Sequence, residues 1–356
     1  MSDEVKYIRI SRDKLEKYTS DIFAAAGMIP EEADIVAKNL VQADLTGKDT
    51  HGVMRVPAYI KRIENKGTFA RSEIEIVKED DTTALIDGHN GMGQVISTAA
   101  MKLCIEKAKK AGVAFVGVRG SNHFGIAAYY AEMALDCDMI GITVTSPAAL
   151  LLAPTGGIEP ILDNNPFSFA IPSGKRYPVI LDMATSVVSR GRIAVAAKKG
   201  KKIPMDWAMT KDGIPTDDPV EGFNGILLPV GGYKGYGLTV IAGIMSAVLN
   251  GGSILSTEIK DFYSDVSEQQ NIGHLFGAID ISRFIGIDAF KEKMDEMINE
   301  IKNSKRAPGV DEIFLPGEHS YRNAERNGKE GIPIIESVID DINDIGLKYG
   351  LDPIKK

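Results

Sequence analysis

The pattern of apolar and polar positions changes character along the chain, and the changes mark out its elements. From Pro30, the run PEEADIVAKNLVQADL sets proline in a first turn with acids beside it and places Ala33, Val36, Ala37 and Leu40 at helical spacing. This predicts an amphipathic helix. A second helix is expected from Asp49 or Thr50, either of which could cap it, with Val53, Val56, Ile60 and Ile63 along one face. The first 70 residues therefore read as helical.

At Ala84 the period shifts. The short apolar run ALID leads through a glycine-bearing turn to a helix from about Gln94 to Ala111, and VAFVGV, Val113 to Val118, is an unbroken apolar run of strand length. The loop RGSNHFG, a helix from Ile126 to Asp136 and a strand from Ile140 to Thr145 follow. FSFAIP and VILDM add strands between Gly, Pro and Asn clusters, and a long buried helix is expected after GGYKGYG. Helix returns near the C-terminus, with Phe290, Met294, Met297, Ile298 and Ile301 on one face and Ile335, Val338, Ile339 and Ile342 on another. Helical ends around a sheet-rich middle predict an α+β fold.

Composition narrows the partners. The 356 residues, 44% hydrophobic and 25% charged, suit a globular chain, and the length favours two packed domains over one. A net charge of −8 argues against nucleic acid, so a small anionic ligand would need positive charge gathered locally. Cys104 and Cys137 form no CxxC pair, which fits a reducing compartment. MSDEVKYIRI lacks the parts of a secretion signal, and the longest apolar stretch, Gly237 to Leu249, is too short for a membrane span. A cytoplasmic protein without a membrane partner is expected.

His51 and Arg55 stand four apart and would share a helix face opposite the Val53 stripe. That face is either solvated or a site. An imidazole suits proton transfer near neutrality, and a guanidinium fork suits a carboxylate. Arg62 shares the face and reads equally as solvated. His123 lies in GSNHFG between a buried strand and a helix, where binding residues gather, although Ser121 and Asn122 could serve only as caps. Asp182 closes an apolar strand and needs a cation if buried, or else caps a helix. Lys234 sits among four glycines in GGYKGYG, either meeting a ligand or riding a mobile turn. GMGQVI lacks the third glycine of a dinucleotide fingerprint, and Lys234 is not followed by Ser or Thr as in a phosphate loop. The histidines His51, His89, His123, His274 and His319 never take zinc spacing, so the sequence supports no metal site.

ADLTGKDTHGVMR, GMGQ, GSNHFGIAAYYA, APTGGIEPILDNNP, LDMATSVVSRG, LPVGGYKGYGL and LPGE, in this order, resemble the malate/L-lactate dehydrogenase family. Its members act on malate, lactate, sulfolactate, ureidoglycolate, diketogulonate and cyclic imino acids. The resemblance implies a mixed-sheet, non-Rossmann domain binding NAD or NADP over residues 76–319. It also implies a helical substrate and dimerisation domain from 1–75 with 320–356, and a homodimer. The reaction implied is hydride transfer between NAD(P)H and a small 2-oxo acid, with cyclic imine reduction, ureidoglycolate-type oxidation or a non-catalytic metabolite-binding role as alternatives.

By the same resemblance His51 is the proton donor, with His123 as the other acid/base candidate and Asp182 assisting. Arg55 holds the substrate carboxylate beside Thr50 and His123. Ser146, Asp182, Met183, Ala184, Lys234, Gly317 and Glu318 match cofactor contacts. The sequence departs from the family pattern at Thr50, where serine is usual, at Ser146 and Pro147 after the strand, and at Asp163 in DNNP, where GTNP is more usual.

Overall fold

The computed structural model describes residues 6–146 and 148–354, so Pro147 lies outside the described residues. The chain begins with β1 (Tyr7–Ile10), α1 (Arg12–Ala25), α2 (Pro30–Leu45) and α3 (Val56–Glu64). Then come β2 (Glu75–Glu79), β3 (Thr83–Asp87), α4 (Gly93–Ala111), β4 (Val113–Ser121), α5 (Ala127–Glu132) and β5 (Met139–Thr145). β6 (Phe167–Ile171), β7 (Val179–Met183), α6 (Arg190–Lys198), β8 (Ala208–Met209), α7 (Pro219–Asn224), β9 (Ile226–Leu227) and α8 (Tyr233–Gly243) follow. The last elements are β10 (Ile272–Asp280), α9 (Ile287–Asn303), α10 (Glu318–Glu330), β11 (Ile332–Ile335) and α11 (Glu336–Lys348).

The fold is α+β. Seven strands form a mixed sheet in the order β2-β3-β4-β10-β5-β6-β7, in which only β3 and β4 run parallel. β10, late in the chain, lies between β4 and β5, and its continuous apolar run is buried on both faces as a central strand requires. The C-terminal ends of β4, β5 and β7 meet the N-terminal ends of β10 and β6 along one rim, because His274 pairs with Val118 and Thr145 while Phe167 pairs with Val144 and Met183. The site is built on that rim.

A separate core joins the chain ends. Leu15, Ile22 and Phe23 of α1, Val36 and Leu40 of α2, and Tyr59 and Ile60 of α3 pack with Ile332, Ile334, Ile339 and Ile342. The ends are not purely helical, since β1 pairs antiparallel with β11. Strands of four residues are too short to show a period against their helical surroundings.

Three helix expectations are corrected. The segment from Asp49 forms two 3₁₀ turns, Asp49–His51 and Val53–Arg55, and the α-helix starts only at Val56. Gly52 is extended there because the buried Asp44 carboxylate accepts the Val53 N–H at 2.8 Å and fills the space a Cβ at Gly52 would need. The helix expected from Ile126 to Asp136 ends at Glu132 and gives way to a 3₁₀ turn, Leu135–Cys137. The helix after GGYKGYG is not buried all round: α8 continues into a π-helical turn, Ile244–Val248, and Leu238, Ile241, Ile244, Val248 and Leu249 form an exposed apolar stripe.

Candidate active site

His51, Arg55 and Thr50 come from the two 3₁₀ turns, His123 from the loop after β4, and Ser146 from the end of β5. All five line one cavity of about 480 Å³. The solvated reading of His51 and Arg55 fails because the broken helix turns both side chains toward the sheet rim rather than along one helix face.

The two imidazoles are stacked, with centroids 5.9 Å apart and planes 24° from parallel. His123 Nδ1 lies 2.5 Å from the Tyr59 hydroxyl and accepts from Gly125 N–H at 3.4 Å. The Gly125 contact favours a lone pair on Nδ1, while the Tyr59 hydroxyl, which can donate or accept, serves either neutral tautomer. His51 Nδ1 is 3.0 Å from the Thr50 hydroxyl, so threonine keeps the contact available to serine. Burial, followed by the charges of Arg55 and Lys48, lowers His51 to about 3. Burial and the Arg55 charge hold His123 well below the usual range as well. Both rings are therefore neutral at pH 7.

Arg55 Nε donates to Thr50 O at 2.7 Å, and Nη1 donates to the Tyr263 hydroxyl. Its guanidinium lies 5.0 Å from the Tyr263 ring centroid and 5.9 Å from that of Phe262. Among the described residues no carboxylate pairs with it.

Arg62, expected on the same face, is fully buried. It donates to the carbonyls of Asp265 (3.0 Å), Gly67 (3.0 Å), Glu268 (2.6 Å) and Phe262 (3.4 Å), and to the Thr68 hydroxyl (3.3 Å). It thereby fixes the loop that carries Phe262 and Tyr263 over Arg55. That loop was missed in the sequence because an aperiodic polar run carries no signal until its partner is known.

The capping roles considered for Ser121 and Asn122 are replaced by others. Asn122 Nδ2 donates to Asn90 O, Asn90 Oδ1 and Gly91 O, at 2.9 to 3.2 Å, which ties the GMGQ turn beneath His123. Ser121 Oγ lies 3.0 Å from Nε2 of His274, whose Nδ1 is 2.7 Å from the Thr145 hydroxyl. His274 stacks on Phe124 at 4.5 Å and is lowered to about 3 by burial. It cross-links β4 to β5 through β10. The departure at Asp163 also has a structural account: its carboxylate accepts from Ala148 N (2.9 Å), Ala149 N (3.2 Å) and Asn164 N (2.7 Å), folding that segment along the cavity.

The remaining site candidates lie outside the cavity lining. Asp182, on the edge strand β7, is ion-paired with Lys48, the cation its burial required. Met183 and Ala184 continue the same strand end. Gly317 adopts φ 87°, and a Cβ there would lie 2.9 Å from Ile180 Cβ, so glycine is needed for close approach to β7. The Glu318 carboxylate is engaged by Lys302 at 2.7 Å and Arg322 at 2.5 Å, which leaves only its backbone for a ligand. Lys234 is exposed just after Gly231 and Gly232, both at positive φ. Ile180 N–H donates to Pro316 O at 3.0 Å, Thr185 N–H to Asn164 O at 2.9 Å, and Val230 N–H to Thr185 O at 2.8 Å. These bonds join the turn at Gly317 and the segment leading into α8, whose first turn carries Lys234, to the end of β7 and lead on to the cavity wall at Asn164.

With this geometry in place, the similarities to known proteins define the class. The sequence profile of the malate/L-lactate dehydrogenase family matches residues 10–343. Malate dehydrogenase of Pyrococcus abyssi is 43% identical over 353 residues, covering 97% of this chain and 96% of the relative. L-sulfolactate dehydrogenase of Methanocaldococcus jannaschii is 42% identical over 337 residues, covering 95% and 96%. The solved sulfolactate dehydrogenase from the same organism superposes with a TM-score of 0.91, covering 97% of this chain and 98% of that one. The chain belongs to the malate/L-lactate dehydrogenase family. It is an enzyme, a 2-hydroxyacid dehydrogenase of the NAD(P)-dependent type.

Proposed function

We propose that the enzyme interconverts a small 2-oxo acid and its 2-hydroxy acid, of the malate, lactate or sulfolactate kind, at the cavity where Arg55 meets His51 and His123. The carrying observation is that one pocket holds a guanidinium without a counter-ion beside two neutral imidazoles. Arg55 takes the carboxylate next to the carbonyl, oriented by Thr50 and Tyr263.

One of the two imidazoles moves the proton at the substrate oxygen. His123 is the better prepared of the pair, because its Nδ1 is held from behind by Tyr59 and its Nε2 has no protein partner among the described residues. In alcohol oxidation a neutral ring accepts that proton at Nε2, in the tautomer whose Nδ1–H is donated to the Tyr59 hydroxyl. In reduction the bound carboxylate neutralises Arg55, removes one cause of the low imidazole pKa and lets the ring carry the proton.

NADH or NADPH supplies the hydride when bound. Ser146, Met183, Ala184, Lys234, Gly317 and the Glu318 backbone would hold the dinucleotide, with the exposed Lys234 offering a cation to its phosphates. Asp182 contributes through its pair with Lys48, which ties α2 and its following turn to this track.

The distinct cores support a helical substrate and dimerisation unit, 1–75 with 320–356, against a sheet unit, 76–319. The exposed apolar stripe from Leu238 to Leu249 lies in the sheet unit and supports a homodimer whose interface extends onto that unit, which sedimentation would read directly. No described helix is long and apolar enough to cross a membrane, and we take the cytoplasm as the compartment. The test is a panel of 2-oxo acids and cyclic imines with NADH and NADPH, followed by cofactor absorbance. Turnover of 2-oxo acids above imines is expected; faster imine reduction would overturn the assignment, and cofactor binding without turnover would favour a metabolite-binding role.

A further inference from the structure

Arg190 was not singled out in the sequence, yet it lines the same cavity as Arg55. It opens α6, and its neighbours Ser189 and Gly191 line the cavity too. Arg190 Nε donates to Phe223 O at 3.1 Å, and the guanidinium lies 4.7 Å from the Phe223 ring centroid. One bond and one stacking contact thus fix its plane, while neither Nη has a protein acceptor among the described residues. No described carboxylate pairs with it. Neither acid in the lining pairs with it: Asp163 accepts from three backbone N–H groups, and Asp261 accepts through Oδ1 from Tyr263 N and Ser264 N at 2.9 Å each.

We infer that Arg190 is a second anion anchor and that the preferred substrate carries two anionic groups, a 2-oxo acid with a further carboxylate or a sulfonate on C3. This rests on the 2-oxo acid reading of the pocket. A half-buried guanidinium held flat and left without a counter-ion is a recognition element, because its fork matches a planar carboxylate or the oxygens of a sulfonate. The two arginines come from different walls. Arg55 belongs to the histidine wall, and Arg190 to the start of α6, where a Cβ at Gly191 would lie 3.6 Å from Thr50 Cγ2. The α6 N-terminus, capped by the Ser189 side chain, adds partial positive charge on the Arg190 side. In a chain of net charge −8, a cavity with two guanidiniums that no described carboxylate pairs with offers two anchors for a dianion. A monoanion such as pyruvate leaves one cation unanswered.

The experiment compares oxaloacetate and pyruvate reduction by the full-length enzyme and by Arg190→Leu and Arg190→Lys, with NADH affinity read by fluorescence. Loss of a charge-assisted hydrogen bond lowers the oxaloacetate-to-pyruvate ratio of kcat/KM by roughly 10- to 100-fold in Arg190→Leu, with a smaller drop in Arg190→Lys. An equal loss on both acids, or weakened NADH binding as the main effect, would overturn the assignment and place Arg190 on the cofactor. If the parent enzyme reduces neither acid, the 2-oxo acid reading fails, and calorimetry of succinate and propionate still decides the role of Arg190. Preferential succinate binding that Arg190→Leu abolishes supports a dianion anchor; parent-like succinate binding contradicts it.

Discussion

Arg55 and Arg62 bracket one short helix, and they divide the labour of a charged side chain between them. Arg62 is fully buried, with every nitrogen of its fork directed at protein oxygens, so that it acts as a clamp on the Phe262–Tyr263 loop. Arg55 is half-buried, makes two contacts that orient it, and keeps its remaining donors toward the cavity. The histidines repeat the contrast. His274 has partners on both nitrogens and is shut inside the sheet, whereas His51 and His123 each have partners on Nδ1 alone. Burial lowers all three pKa values, so a shifted pKa does not separate site from scaffold here; unused hydrogen-bonding capacity at a cavity wall does.

The sharpest way to break this contrast is to truncate its two arginines. Arg55→Met removes a carboxylate anchor, and kcat/KM on the best 2-oxo acid is expected to fall about a thousandfold, or about 4 kcal/mol, with the melting temperature held. Arg62→Leu acts on the fold. It leaves buried carbonyls without donors and is expected to cost about 3 kcal/mol in denaturant unfolding, with a smaller loss of kcat/KM. An inactive Arg62→Leu of parental stability would place Arg62 in the chemistry and dissolve the distinction.

The histidine pair comes next. His123→Gln is expected to lower kcat about a hundredfold in both directions, and His51→Gln less, because general acid–base catalysis contributes on this scale. The reverse order in stopped-flow single turnovers would return the proton to His51. The pH profile sharpens the assignment of the proton. With both imidazoles neutral in the ligand-free site, kcat/KM for reduction depends on the scarce protonated form and should fall about tenfold per pH unit between about pH 6 and pH 9. Oxidation uses the neutral form already present, so its kcat/KM should stay flat there and decline only as acid protonates the ring. A reduction profile that is flat across this range would show that the proton does not come from these rings.

Much of this was legible before any coordinates, but unevenly. The apolar runs of β4, β5, β6 and β7 announced the sheet because buried strands need them. Helical spacing put His51 near Arg55, though the local geometry is two 3₁₀ turns imposed by Asp44 on Gly52. Arg62 could not be read from its own helix, since three of its five partners lie some 200 residues away in sequence in a segment without periodicity. Arg190 sat inside a recognised motif and was passed over, because nothing local distinguishes a guanidinium stacked beside a cavity from one in solvent. Glu318, expected at the cofactor from the resemblance, has its carboxylate held by Lys302 and Arg322, a pairing that no local pattern announced.

Histidine nitrogen-15 NMR, recorded with NADH bound before and after adding oxamate, interrogates the convergence of Arg55 with the imidazoles most directly, because oxamate offers a carboxylate and an adjacent carbonyl oxygen without turning over. The expected spectrum has His51, His123 and His274 neutral at the start, and oxamate then moves the His51 and His123 signals while His274 stays in place. Unchanged His51 and His123 resonances at saturating oxamate, or a response confined to His274, would contradict a shared site for acid and proton.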